Sequence, residues 1–229
     1  MAARGVFITG TDTGCGKTRA SLVLMAALKQ RGRVVAGMKP VASGCTRIDG
    51  GLVNDDAAQI RAACSRELPY ELINPCALAE PMSPNFAAAR AGRRITLAPL
   101  LAAYAALARD ADRIVVEGVG GWRVPLSDQL GVPDLVAALD LPVVLVVGLR
   151  LGCINHALLS AAAVAADGAR LCGWIANGVD PDYDTARETV DYLIQTINAP
   201  LLGQIPFLDA SAVTDNVASE IDLSAGGLD

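Results

Sequence analysis

Three glycines, a lysine and three threonines fall within the nine positions Gly10-Thr11-Asp12-Thr13-Gly14-Cys15-Gly16-Lys17-Thr18. That combination suits the phosphates of a nucleoside triphosphate. Glycines let successive backbone N–H groups converge on phosphate oxygens without Cβ clashes. A strand-like apolar run precedes the loop and a helix-forming run follows it. The helix therefore adds its positive N-terminal end to the same point. In that setting Lys17 is expected on the β- and γ-phosphates and the Thr18 hydroxyl on Mg²⁺. The common pattern leaves four residues between its first glycine and Gly-Lys, whereas Gly10 and Gly16 here enclose five. A glycine-rich turn that binds nothing is the plain alternative, and Gly-Lys-Thr at a strand-to-helix junction argues against it.

Other residues could complete such a site. Glu117 ends an apolar run and is followed by Gly118-Val119-Gly120-Gly121. A carboxylate so placed suits a magnesium ligand facing a phosphate loop, although a capping or salt-bridged glutamate would look the same. Asn54-Asp55-Asp56 offers a second carboxylate. Spacing does not choose between the two aspartates, and acids are favoured at a helix N-terminus in any case. Lys39 opens Lys39-Pro40-Val41-Ala42-Ser43-Gly44, where Pro40 stiffens the turn. A lysine there could neutralise charge in a phosphoryl-transfer transition state, but position alone favours an exposed surface lysine.

Asn177 ends another apolar run, and Pro206-Phe207-Leu208 follows the last one. An amide and a stiff apolar turn are what adenine needs for edge hydrogen bonds and a flat contact, and also what many loops contain. Leu151-Gly152-Cys153-Ile154-Asn155-His156 leads into a second helix N-terminus, suited to a carboxylate. His156 is the sole histidine. A structural role is the better reading of it, and no catalysis is assigned.

These residues need a frame that holds them on one rim. Short, nearly unbroken apolar runs at 6–9, 34–38, 113–117, 142–147, 171–176 and 201–205 read as buried parallel strands. Helical stretches at 18–30, 55–63, 97–109, 155–166 and 185–197 lie between them. The alternation predicts an α/β fold: one mostly parallel sheet with helices on both faces, of P-loop NTPase type. In such a sheet ligands bind at the carboxyl ends of the strands, where most of the residues above fall. One domain over residues 1–229 fits the length, with 224–229 expected to be a loose tail.

Hydrophobic residues make up 52% of the chain and charged residues 19%, a globular composition. A net charge of −5 makes nucleic acid an unfavourable partner. Residues 1–5 show no secretory signal, and the longest apolar run, 141–149, is too short to span a bilayer as a helix. The six cysteines form no C-x-x-C pair. They read as reduced thiols of a cytoplasmic protein.

Taken together, the motifs resemble those of the dethiobiotin synthetase family. The matching segments are Thr9-Gly10-Thr11-Asp12-Thr13 with Gly16-Lys17-Thr18, Lys39 to Gly44, Ala79-Glu80-Pro81 with Ser83-Pro84, Val116-Glu117-Gly118 with Gly120-Gly121-Trp122, Pro125-Leu126-Ser127-Asp128, Leu151 to His156, and Ala199 to Gly203 with Ile205-Pro206. They run in family order over nearly the whole chain, and the longer phosphate loop is the family's own variant. The resemblance implies an ATP- and Mg²⁺-dependent ligase that joins 7,8-diaminononanoate and CO₂ into the ureido ring of dethiobiotin. The route passes through a carbamate and its mixed anhydride with phosphate.

The resemblance also implies roles. Lys17, Lys39 and Thr13 would be catalytic. Gly14, Cys15, Gly16, Lys17, Thr18, Arg19, Asp56, Glu117, Gly118, Val119, Gly120, Asn177, Gly178, Pro206, Phe207 and Leu208 would hold ATP. Thr18, Asp56 and Glu117 would hold Mg²⁺, the family's Asn-x-Asp pattern selecting Asp56. Thr13, Lys39, Ser43 and the turn Gly152, Cys153, Ile154 and Asn155 would meet the substrate. The family works as a homodimer with its site at the interface. A tyrosine contact of the family falls on Thr189 here, with Tyr183 and Tyr192 nearby. The alternative is a ParA- or MinD-like ATPase switch. Those carry a lysine early in the loop, where this chain has Gly10-Thr11-Asp12. A cobyrinic-acid-type amidotransferase needs a further glutaminase domain for which 229 residues leave no room.

Overall fold

All six apolar runs become strands of one sheet in a computed structural model that describes residues 5–207 and 214–229. They are β1 (Gly5–Gly10), β2 (Val35–Met38), β3 (Arg113–Glu117), β4 (Val143–Leu149), β5 (Leu171–Gly178) and β6 (Leu201–Ile205). Every pairing is parallel, and the order across the sheet is β6-β5-β4-β1-β3-β2. Successive connections thus leave β1 toward β2 and later return to its other side at β4. This makes the carboxyl ends around β1 a topological switch point, where a crevice opens.

The helices are α1 (Lys17–Gln30), α2 (Asp55–Ala63), α3 (Tyr70–Ile73), α4 (Pro84–Arg90), α5 (Leu97–Leu107), α6 (Val132–Leu139), α7 (Cys153–Ala166), α8 (Ala186–Thr196) and α9 (Thr214–Ala218). Side chains alternate across the sheet. On β4 and β5, Leu145, Val147, Leu149, Trp174 and Ala176 pack with Cys153, Ala157, Val190, Leu193 and Ile197 of α7, α8 and its end. Val144, Val146 and Ile175 join instead the larger core that contains Leu24 and Leu28 of α1. The unbroken apolar character of these strands therefore reflects burial on both faces.

Among the described residues, three small ribbons lie outside the sheet. They pair Val41–Ala42 with Cys76–Ala77, Thr46–Ile48 with Gly51–Val53, and Pro125–Ser127 with Leu130–Gly131. No helix among the described residues is long and apolar enough to cross a membrane.

The expected loose tail at 224–229 is corrected. Leu223 and Leu228 are buried, and the Leu228 N–H donates to the Leu223 carbonyl at 2.9 Å. Arg31 pairs with the Asp229 side chain at 2.5 Å, and Arg113 donates to the Asp229 backbone oxygen. Two leucines removed from water and two arginine contacts hold this segment against the fold, although its glycines and serine gave it the look of a free end.

Candidate nucleotide and metal site

The phosphate loop begins where β1 ends and closes where α1 starts. A Cβ at Gly10 would lie 2.3 Å from the Cys15 sulfur, so only glycine lets the loop fold over itself. Gly16, the residue before α1, has φ +88°. A Cβ there would sit 1.9 Å from the Asn177 amide nitrogen. The first N–H groups of α1 have no side-chain cap. A helix start of this kind suits an anion. Lys17 is buried and folds back, its ammonium donating to the Asp12 carbonyl at 2.9 Å. Cys15 is also buried, its thiol 3.9 Å from the Lys17 ammonium. Thr13 and Gly14 are exposed at the tip of the loop, and Arg19 is half-buried on α1.

The carboxyl ends of β2 and β3 bring Lys39 and Glu117 together. The Lys39 backbone is held from both sides: its N–H donates to the Ile73 carbonyl at 2.8 Å, and the Asn74 side chain donates to its carbonyl at 2.6 Å. Its ammonium donates to Glu117 Oε1 at 2.5 Å, Asp56 Oδ2 at 3.0 Å and the Gly118 carbonyl at 3.3 Å. Glu117 is 0% exposed. It also accepts from the Thr18 hydroxyl at 3.0 Å and the Ser21 hydroxyl at 2.9 Å. A carboxylate so buried needs this many donors.

Asp56 lies in the first turn of α2. That turn is fixed by the Asn54 side chain accepting from the Ala57 N–H at 3.1 Å and by the Asn54 N–H donating to the Tyr70 hydroxyl at 2.8 Å. It is Asp56, not the exposed Asp55, that meets Lys39. Burial pulls the Lys39 ammonium toward a lower pKa, and the two carboxylates outweigh it, so Lys39 titrates above its ordinary value. Partial burial pushes the Asp56 carboxyl up. Lys39, the Thr18 hydroxyl and Lys17 overcome that and hold it below the usual carboxylate value.

Thr18, Asp56 and Glu117 fit a magnesium ion. Mg²⁺ takes about six oxygens at about 2.0–2.1 Å, which places neighbouring oxygens about 2.9 Å apart. The Thr18 hydroxyl and Glu117 Oε1 stand 3.0 Å apart. No group of three or more His, Cys, Asp and Glu side chains comes together among the described residues. A cation held here would complete its shell with water and phosphate oxygens, the usual manner of Mg²⁺.

Asn177, near the end of β5, donates to the Cys15 carbonyl at 2.9 Å while its own oxygen is buried with no partner among the described residues. A buried acceptor without a donor is costly and suits an exocyclic amino group. A Cβ at Gly178 would lie 2.6 Å from the Phe207 nitrogen, which brings Pro206 and Phe207 against the end of β5. Leu208 lies outside the described residues. The loop Gly118 to Gly121 borders the phosphate loop: a Cβ at Gly120 would be 3.8 Å from the Thr13 hydroxyl, and one at Gly121 3.4 Å from the Gly10 and Thr11 carbonyls. Val119 is half-buried in that loop.

Ser43 and the turn Gly152 to Asn155 stand outside this network. Among the described residues, no hydrogen bond joins the side chains of Ser43 or Asn155 to the Lys39 cluster. Ser43 is half-buried on the segment after Lys39. Gly152, at φ +92°, is exposed just before α7, with Cys153 buried, Ile154 half-buried and Asn155 and His156 exposed. Arg150 ties this turn to the phosphate loop through an ion pair with Asp12. At the Thr189 position, the hydroxyl bonds that of Tyr183 at 2.7 Å.

Sequence reasoning had not singled out Ser21, Asn74 and Arg150. Ser21 lies three positions after Thr18 on a helix, hence on the same face, which was a usable signal. Arg150 follows the carboxyl end of β4, another usable one. Asn74 acts through a backbone carbonyl distant in sequence and carries no local signal.

A family model described as an AAA domain matches residues 4–213. A protein of Xanthomonas oryzae pv. oryzae (strain PXO99A) named ATP-dependent dethiobiotin synthetase BioD is 52% identical over 207 residues, covering 90% of this chain and 92% of that protein. One of Xylella fastidiosa (strain 9a5c) with the same name is 49% identical over 208 residues, covering 91% and 92%. Among solved structures, the MinD cell division protein of Aquifex aeolicus superposes with a TM-score of 0.57 at 16% identity, covering 98% of this chain and 95% of that one. A ParA family ATPase from Chlorobium tepidum TLS gives 0.57 at 16%, covering 96% and 98%. The likeness to MinD and ParA is one of fold.

Proposed function

This chain belongs to the ATP-dependent dethiobiotin synthetases, ATP-dependent ligases of biotin synthesis, and we propose that its Lys39 cluster carries out the ring closure. The substrates on this reading are 7,8-diaminononanoate, CO₂ and ATP. One amine adds to CO₂ with loss of a proton and becomes a carbamate. The carbamate oxygen takes the γ-phosphoryl group of ATP and releases ADP. The second amine then attacks the anhydride carbon and expels phosphate. Each step gathers negative charge at one place, and the two amines must be held close. Lys17 and Lys39 neutralise that charge from two sides. Thr13 and Ser43 orient the carbamate and the diamine. The start of α7, at Gly152 to Asn155, receives the substrate carboxylate at its positive N-terminal end. Asn177, Gly178 and Pro206 to Leu208 hold adenine, the buried Asn177 oxygen accepting from its amino group.

Thr18, Asp56 and Glu117 hold Mg²⁺, which when bound draws charge from the phosphates. Gly14 to Arg19 and Gly118 to Gly120 line the phosphates. The chain works as a homodimer in the cytoplasm. In support, Leu151 is 90% and Leu159 62% exposed at the start of and on α7, and Tyr192 and Ile194 are about half exposed on α8. Apolar area of this kind is what a second subunit covers.

The single observation that carries the reading is a buried ammonium, that of Lys39, bonded to both candidate metal carboxylates beside a phosphate loop. The test is phosphate release measured with diamine and bicarbonate added singly and together, with mass-spectrometric detection of dethiobiotin. Release is expected only with both. Steady ATP hydrolysis indifferent to both would overturn the reading.

A further inference from the structure

We propose that Lys39 is the resident counter-cation of the metal cradle and changes places with the divalent ion, so that metal loading sets the lysine free for the substrate. The inference rests on the assignment of Thr18, Asp56 and Glu117 as metal ligands. All three bonds of the Lys39 ammonium go to the protein: Glu117 Oε1 at 2.5 Å, Asp56 Oδ2 at 3.0 Å and the Gly118 carbonyl at 3.3 Å. Its side chain is 5% exposed. Two of the three oxygens that would grip the metal are thus already neutralised by an internal cation. The third, the Thr18 hydroxyl, is turned to the same Glu117 oxygen at 3.0 Å.

Both cations cannot use these oxygens at once. Glu117 is fully buried, and repulsion between an ammonium and a dication a few ångströms apart is little screened there. The divalent ion brings twice the charge and fills several coordination positions, so it displaces the ammonium. Lys39 is built to give way. Its backbone is anchored on Ile73 and Asn74, while its head sits on a flexible four-carbon stem. Once displaced, the ammonium finds new oxygens on the phosphates and carbamate that arrive beside it. Without metal, Lys39 is held on Glu117 and Asp56 and is withheld from the substrate. The order of events follows: cation in, lysine out, then chemistry.

The test measures Mn²⁺ binding by electron paramagnetic resonance without nucleotide, on wild type, Lys39→Gln and Lys39→Arg. Lys39→Gln should bind Mn²⁺ about tenfold more tightly than wild type, and MnCl₂ should raise its melting temperature by more. Lys39→Arg keeps a cation in the cradle and should bind no more tightly than wild type. Equal or weaker binding by Lys39→Gln overturns the exchange. If neither wild type nor Lys39→Gln holds Mn²⁺ even with ATP present, the metal assignment itself fails and the exchange falls with it. A second measurement needs no variant. The ammonium ¹⁵N resonance of Lys39 in wild type should keep its position with a non-hydrolysable ATP analogue alone and move when Mg²⁺ is added. A resonance unmoved by Mg²⁺ with the analogue overturns the exchange even if Lys39→Gln does not fold.

Discussion

Glu117 accepts from Lys39, Thr18 and Ser21, so three side chains converge on one carboxylate that water does not reach. On the proposed reading, removing Lys39 deprives the transition state of a positive charge but leaves the Gly10 to Thr18 loop intact. Lys39→Ala is therefore expected to lower kcat by about 10²- to 10³-fold and to change the KM for ATP by less than about threefold. Steady-state kinetics with ATP and diamine varied in turn checks this. A chief effect on ATP affinity would move Lys39 from transfer to binding.

The same cluster sets an acid limit. Asp56 is held below its unfolded value of about 3.9. Its contribution to stability is fully present above that value and is lost as pH falls through the lower folded value. Asp56→Asn should therefore be less stable than wild type at pH 7, with the gap closing below about pH 4. The Asp56 side chain is 40% exposed, and solvent screening limits the gap to about 1 kcal/mol. Urea midpoints across pH measure it. The choice of Asp56 over Asp55 was open to spacing, because both fit a helix N-terminus. Only the position of Lys39, on another strand, separates them.

At the scale of elements, β4 and α7 connect the phosphate end of the site to the turn assigned to the substrate. The link is the ion pair between Asp12, in the phosphate loop, and Arg150, one residue past β4. Both side chains are partly exposed, at 28% and 40%. The pair is accordingly worth about 1 kcal/mol and weakens with salt. Arg150→Ala should lower kcat/KM for the diamine about fivefold and leave the KM for ATP nearly unchanged. The Asp12→Ala, Arg150→Ala double variant should lose little more than either single one. Additive losses, or losses insensitive to salt, would show that the pair does not join the two elements.

The strands bordering this link were legible because parallel strands buried on both faces leave unbroken apolar runs. Helices α1, α2, α5, α7 and α8 were legible within two residues at each end. Helices α3, α4 and α6 were not. Four residues in α3 and seven in α4 are too few for periodicity, and tertiary burial of Ile73, Ala87 and Ala88 holds them. Helix α6 opens with Val132-Pro133, which reads as a break. Its start is secured by the Gly131 N–H donating to the Asp134 carboxylate at 2.7 Å.

At the scale of the molecule, the sequence placed the rim but not what closes around it. The docked segment at 223–229 and the hold of Asn74 on Lys39 both join residues far apart in the chain, and composition is blind to such pairings. The homodimer is the largest of these questions. If the substrate carboxylate binds the Gly152 to Asn155 turn of the second subunit, each site takes Lys39 from one chain and the turn from the other. Lys39→Ala and Gly152→Val should each be inactive, the second because valine at φ +92° breaks the turn. Co-expressed, they form mixed dimers in which one site carries both defects and the other carries none. Random pairing makes about half of the dimers mixed, so about a quarter of wild-type activity should return. A turn that serves its own chain's site leaves one defect in every site, and no activity returns. Sedimentation of the purified mixture, read beside its rate of phosphate release, separates a failure to pair from a failure to share.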